Sequence, residues 1–196
     1  MSNYCATYIR IIGEYKEMKL LYTLLDWAKE KVSNGWIGEI GNLLGVTDVI
    51  DGYAYRRGTK EDVRCRSHIE QVNFDETEVG ISVGDAWAPQ LTVYAMLQEK
   101  FAPNCKLFYV AEEPGCDVYA TNDPDYIDKW IVEVYDNPDF ESLWYVSEDE
   151  ARKFLQELLH TNSDDMDELT RLAYESEEYE LSVHHFDEVP VADFCA

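Results

Sequence analysis

The sequence predicts an α+β fold, because segments with a repeat of two alternate with segments with a repeat of three to four. Residues 6–12 are rich in β-branched and aromatic side chains and stop at Gly13, which is typical of a strand. Apolar residues between Met18 and Val32 recur every three or four positions, which indicates the buried face of a helix. The chain has 196 residues, enough for one domain with an appendage.

The following segments predict two hairpins separated by a helix. Residues 68–74 and 79–83 alternate around a short polar turn, and residues 107–111 and 118–121 do so around a turn that contains Pro114 and Gly115. Pro89 suits the first turn of the intervening helix. The order strand, helix, hairpin, helix, strand is that of a split βαβ, ferredoxin-like sandwich with extra strands.

Residues 1–136, including a strand at 130–135, are therefore expected to form the core domain, and residues 137–196 an acidic C-terminal helical extension. Ser147 and Glu150 have the spacing of a capping box. Asn162 or Ser163 is expected to cap a last helix, with residues 166, 169 and 172 facing inward. After Tyr174 the sequence leaves a longer helix, a strand at 179–183 and a disordered tail open.

The composition bounds the function. Forty acidic and 16 basic residues give a net charge of −24, which argues against direct binding to nucleic acid or to an anionic membrane. No segment has the ~20 consecutive apolar residues of a membrane span, and no export signal is recognisable, so a cytoplasmic location is expected. Five cysteines without a CxxC pair and four histidines without HExxH spacing predict reduced thiols, no metal and no cofactor.

The acidic residues are concentrated near the carboxyl end. Residues 1–122 hold 18 acidic and 12 basic residues, whereas residues 123–196 hold 22 acidic and 4 basic ones. Residues 164–168 contain four carboxylates, which would span roughly 7.5 Å along a helix that rises ~1.5 Å per residue. Duplex DNA carries about four charges over that distance. The segment therefore predicts a surface that a DNA-binding protein could mistake for its ligand.

Aromatic side chains lie between the acids, and tyrosine and tryptophan are typical of binding hot spots. The candidate partner-binding residues are Asp123, Asp125, Tyr126, Asp128, Asp139, Glu141, Tyr145, Asp164, Asp165, Asp167 and Glu168.

Short motifs in the first domain resemble a known family. They are Asp85-Ala86-Trp87-Ala88-Pro89, the segment ending Lys100-Phe101-Ala102-Pro103, Glu112-Glu113-Pro114-Gly115-Cys116 with Tyr119, and the opening Asn3-Tyr4-Cys5-Ala6. Over roughly residues 1–135 the sequence is similar to the YubB-type ferredoxin-like family. The resemblance implies the ferredoxin-like topology without an iron–sulfur centre. It also implies origin in a plasmid or phage, with no established activity and therefore no catalytic residues to transfer. The acidic region after about residue 136 departs from the family pattern.

Mobile elements often carry inhibitors of host defence nucleases, so the resemblance and the charge together favour one hypothesis. The protein would be a non-enzymatic acidic inhibitor that imitates DNA and blocks a basic nucleic-acid-binding defence protein of the host, in the manner of an anti-CRISPR protein. It would not bind nucleic acid itself.

Three alternatives remain open at this stage. The protein could be a ferredoxin-like module that binds a protein or small ligand without imitating DNA. It could be an enzyme in which Asp85, Glu112 and Glu113 converge, although those residues are also typical of structural turns. A homodimer is also possible, because five bases in residues 56–66 could neutralise acids of a second copy.

Overall fold

The computed structural model describes residues 4–135 and 140–195, and it confirms an α+β fold. The chain divides into two compact units, residues 1–123 with 189–196, and residues 124–188. We call them unit 1 and unit 2. These bounds differ from those of the predicted domains, 1–136 and 137–196, which stay a prediction.

Unit 1 contributes five strands to a sheet, in the order β7-β6-β1-β5-β4, and each neighbouring pair is antiparallel. In chain order its elements are β1 (Tyr4–Ile12), α1 (Tyr15–Lys31), α2 (Ile37–Leu43), β2 (Thr47–Ile50), β3 (Tyr53–Arg56), β4 (Ser67–Asp75), β5 (Glu78–Ala86), α3 (Thr92–Phe101), β6 (Lys106–Glu113) and β7 (Val118–Thr121). β2 and β3 form a separate hairpin.

The alternation in β1 explains which side of the sheet is buried. Every second residue, Cys5, Thr7, Ile9 and Ile11, is buried, whereas Ala6, Tyr8 and Arg10 between them are partly or fully exposed, as expected when side chains point to opposite faces in turn. Cys5, Ile9 and Ile11 join one hydrophobic core with the apolar faces of α1 and α3. The strands, α1 and both hairpins predicted from the sequence are confirmed. One detail was wrong: α3 begins at Thr92, so Pro89 precedes the helix and does not occupy its first turn.

Unit 2 combines a small sheet with two helices. Its elements are β8 (Trp130–Tyr135), β9 (Leu143–Val146), α4 (Glu148–Leu158), α5 (Met166–Tyr174), β10 (Glu180–His185) and β11 (Asp187–Glu188). β8 lies between β10 and β9. Val132, Leu155, Leu169 and Val183 are among the residues of a second hydrophobic core. The segment after Tyr174 is therefore neither a longer helix nor a tail, because it returns as the strand β10.

Unit 2 is inserted between two neighbouring points of unit 1. The chain leaves β7 after Thr121, and Val189, the first residue that returns to unit 1, donates its backbone N–H to the Thr121 carbonyl oxygen at 2.8 Å. The Tyr109 hydroxyl donates to the Val189 carbonyl oxygen at 2.7 Å. These two hydrogen bonds fix the exit and return points of the chain side by side within unit 1.

Candidate partner-binding surface

The four acids predicted as the densest part of the surface lie at the start of α5, and all four are exposed. Asp165 is the N-cap, and its carboxylate accepts from the backbone N–H of Asp167 and of Glu168. The Glu168 carboxylate accepts from the Ser163 hydroxyl at 2.6 Å. Carboxylates at a helix N-terminus satisfy unpaired amides and interact favourably with the helix dipole. The run therefore also stabilises α5.

This geometry corrects two expectations. The cap is Asp165, not Asn162 or Ser163. Since α5 starts at Met166, Asp164 and Asp165 lie before the helix. The helical rise of about 1.5 Å per residue, on which the comparison with DNA depends, therefore applies only to Asp167 and Glu168.

Asp125, Tyr126, Asp128, Glu141 and Tyr145 all lie in unit 2. The three acids are exposed. The Tyr126 and Tyr145 rings meet edge to face, with centroids 5.1 Å apart, a favourable aromatic arrangement. They therefore form an aromatic pair at the protein surface.

The remaining two candidates have different positions. Asp139 lies outside the described residues. Asp123 is 2% exposed and accepts from an Arg10 guanidinium nitrogen at 2.5 Å. Since Arg10 also pairs with Glu78 at 3.1 Å, Asp123 belongs to an ion-pair network inside unit 1. Its burial removes it from the partner-binding surface, contrary to the prediction.

Unit 2 holds 20 acidic and 4 basic residues, a net charge of −16. Eighteen of those acids are described, and all but Glu133 are exposed. Among the described residues, Arg152 pairs with Glu148 and Asp149, and Arg171 pairs with Glu175, whereas the acids at the start of α5 form no ion pair. The acids at the start of α5 therefore remain available to a cationic partner. The paired acids are also available, because exposed ion pairs contribute little free energy.

Glu148, Asp149 and Glu150 form the first turn of α4. Ser147 and Glu150 form the predicted capping box, with the Ser147 backbone N–H donating to the Glu150 carboxylate at 3.0 Å. Hydrogen bonds from the Ser147 side chain and backbone lower the pKa of Glu150. This part of the acidic sequence has a clear structural role.

Sequence reasoning left Trp144 out of the candidate set. Its side chain is 49% exposed, and its ring centroid lies 6.5 Å from that of Tyr145. The signal that could have found it is the pair of consecutive aromatic residues in a short strand, since one of two neighbours on a regular strand must point away from the core.

The alternative carboxylate site is only partly assembled. Asp85 is paired with Cys5 across the β1–β5 register. Glu113 follows Glu112, which pairs with Ala6, so alternation places Glu113 on the Cys5 side of the sheet and Glu112 on the opposite side. Asp85 and Glu113 are 2% and 3% exposed, and Cys5 lies between them. Two of the three predicted residues therefore share a face, and Glu112 does not.

Asp85 and Glu113 both accept hydrogen bonds from neighbouring groups within unit 1. The Asp85 carboxylate accepts from the Thr7 hydroxyl at 2.7 Å and from the Gln90 backbone N–H at 3.1 Å. Burial raises the pKa of Asp85, and hydrogen bonds from Ser67, Thr7 and Gln90 oppose that shift. Burial is also the main cause that raises the pKa of Cys5 to about 12. A thiol with this pKa is protonated at neutral pH and is a poor nucleophile.

Within the described parts of the chain, no three His, Cys, Asp or Glu side chains are grouped so that they could hold a metal ion. A shallow depression of about 270 Å³ opens between the end of α5 and the start of β10, lined mainly by residues 176–181. Among the helices described, none combines the length and apolar character needed to cross a membrane.

Comparison with known proteins adds no relative. No family model matches the chain, and no curated protein or solved structure matches it either.

Proposed function

We propose that the protein is a non-enzymatic, acidic binding protein of the cytoplasm that uses unit 2 to occupy the nucleic-acid-binding surface of a basic host protein. The observation that carries the proposal is the exposure of 17 of the 18 described carboxylates of unit 2. Such a surface attracts cationic partners over several ångströms and orients them before contact. In this proposal the protein acts by stoichiometric binding and not by catalytic turnover.

We further propose that unit 1 is a ferredoxin-like scaffold, related to the YubB-type proteins that its motifs resemble. The strand order β6-β1-β5-β4 supports this topology, since the two strands joined by a hairpin lie next to each other and α1 and α3 make the two crossovers. In this proposal unit 2 is an insertion that adds the partner-binding function to the scaffold.

The partner class follows from the charge. Imitation of DNA requires negative groups that remain exposed and unneutralised, as the acids at the start of α5 are. A host defence nuclease or another DNA-binding protein would present the complementary basic groove.

The test is displacement of proteins from DNA. Basic host proteins are first bound to immobilised duplex DNA at physiological salt, and the protein is then added. The decisive variant replaces the four acids by amides, Asp164→Asn, Asp165→Asn, Asp167→Asn and Glu168→Gln. Asparagine caps helices about as well as aspartate, so this variant keeps the N-cap of α5, which lysine substitutions would remove.

A matched control neutralises four exposed acids of unit 1, Asp26→Asn, Glu30→Gln, Asp75→Asn and Glu99→Gln. We expect the wild type and this control to release bound proteins equally, and the unit 2 variant to need severalfold more protein. Equal loss in both variants would assign the effect to net charge alone. No release by the wild type would refute DNA mimicry.

A further inference from the structure

A β-bulge in unit 2 displays two aromatic residues side by side. The pairing register between β8 and β9 shifts between Trp130 and Val132, so that one residue of β8 lies opposite two residues of β9, Trp144 and Tyr145. Tyr145 has a φ of 57°, a backbone conformation that is uncommon for a residue other than glycine. Bulges of this kind redirect side chains and bend a strand at its edge.

The bulge removes the normal alternation of β9. Leu143 and Val146, on either side, pack against the core of unit 2, whereas Trp144 and Tyr145 remain 49% and 38% exposed. Two consecutive aromatic residues thus reach the solvent from one four-residue strand. Backbone strain of this type persists when the surrounding structure enforces it, and it is concentrated at functional sites.

Neighbouring rings hold this pair in position. Tyr145 packs against Tyr126 at a centroid distance of 5.1 Å and against the buried Phe186 at 5.7 Å. Trp144 lies beside Tyr145 at 6.5 Å with the rings tilted by 53°. Tyr145 is therefore anchored, and Trp144 is the more exposed of the two rings.

Acidic residues flank the pair in the sequence, and the bases near them at the start of α4 are Lys129, Arg152 and Lys153. Glu141 lies three residues before Trp144, and Glu148 and Asp149 follow β9 at the start of α4. All three carboxylates are exposed. Arg152 already binds Glu148 and Asp149, so this place accommodates a guanidinium within the chain's own structure.

From the aromatic pair and its acidic surroundings we infer that Trp144 and Tyr145 form an arginine-binding hot spot for the basic protein partner. A guanidinium stacks on an exposed indole ring better than an ammonium group does, and the net negative charge of unit 2 attracts it. Tryptophan, tyrosine and arginine dominate the energetics of protein interfaces. The inference rests on the proposed function, and it adds that the partner contributes arginine and not merely positive charge.

The experiment compares fluorescein-labelled octa-arginine and octa-lysine peptides by fluorescence anisotropy, using the full-length protein. We expect the wild type to bind octa-arginine more tightly. Trp144→Ala should reduce the ratio of the two affinities about 2- to 5-fold, the range for one exposed cation–π contact. Trp144→Phe should reduce the ratio less, because phenylalanine binds cations more weakly than tryptophan. If Trp144→Ala does not fold, the affinity ratio of Trp144→Phe tests the inference.

The matched control is Trp27→Ala, which removes a tryptophan of unit 1 that is 45% exposed, and it should leave the ratio unchanged. An unchanged ratio in both Trp144 variants would overturn the arginine hot spot. If both peptides still bound in a salt-dependent manner, the proposed function would stand. If neither peptide bound, or if salt had no effect, both proposals would fail together.

Discussion

The two units use their carboxylates differently. In unit 1, Asp85, Glu113 and Asp123 are almost completely buried and bind hydroxyl groups, backbone amides or Arg10. In unit 2, nearly every described carboxylate is exposed, and the described bases engage few of them. Buried carboxylates that support the fold and exposed carboxylates that we propose to meet a partner thus occur in one chain.

The largest expected effect on stability follows from breaking the ion-pair network of unit 1. Arg10→Leu leaves Glu78 and the buried Asp123 without their shared guanidinium, and we expect the free energy of unfolding to fall by about 3 kcal/mol. Urea unfolding measures the loss. The control, Arg171→Leu, breaks an exposed pair with Glu175 and should cost less than about 1 kcal/mol. Equal losses in the two variants would contradict the contrast between the units.

A second prediction concerns the pH dependence that Asp85 confers. Its pKa is raised in the folded state by burial, so its contribution to stability is present at low pH and is lost as the pH rises above the usual carboxyl range. The free energy of unfolding of Asp85→Asn should match that of the wild type below about pH 4 and exceed it at neutral pH.

Unfolding titrations at several pH values, with the exposed Asp26→Asn as control, test this prediction. A stability difference between Asp85→Asn and the wild type that stays constant with pH would show that burial does not penalise the charged carboxylate.

The capping box of α4 sharpens the comparison within unit 2. Ser147→Ala removes the side chain that accepts from the Glu150 backbone N–H, and we expect a loss of about 1 kcal/mol in the free energy of unfolding. Binding of octa-lysine should not change, because the carboxylates remain. If Ser147→Ala had wild-type stability but bound octa-lysine more weakly, Ser147 would serve binding and not the stability of α4.

Local patterns made much of the fold predictable. Alternation located β1, β4 and β5, and the Ser147–Glu150 spacing located the start of α4, because each signal involves residues close together in the chain. Asp123 shows the limit of such signals: its burial depends on Arg10, 113 residues away. No local pattern in the sequence indicates that β8 pairs with β9 and β10, because tertiary packing determines which strands pair.

The candidate surface was predictable in composition but not in geometry. The charge count located the acidic residues in the last third of the chain, where most of them are exposed. It could not reveal that Asp165 caps α5 or that a bulge exposes Trp144 beside Tyr145. Backbone conformations of this kind arise from the register of neighbouring strands, which no local pattern in residues 140–146 specifies.

The smallest expected effect on folding belongs to the amide variant of Asp164, Asp165, Asp167 and Glu168. Its free energy of unfolding should stay within about 0.5 kcal/mol of the wild-type value, because the four side chains are exposed and the Asp165 cap is conserved by asparagine. A larger loss would mean that these acids serve mainly the folding of α5.

The most direct test of the central claim is the salt dependence of octa-lysine binding by this variant, by the wild type and by the unit 1 amide control. We expect the dissociation constant of the wild type and the control to rise steeply with salt, since contacts between exposed charges are screened. The unit 2 variant should bind more weakly at low salt and show a clearly shallower dependence. Identical salt dependence in all three proteins would contradict the account, because the acids of unit 2 would then have no special part in binding.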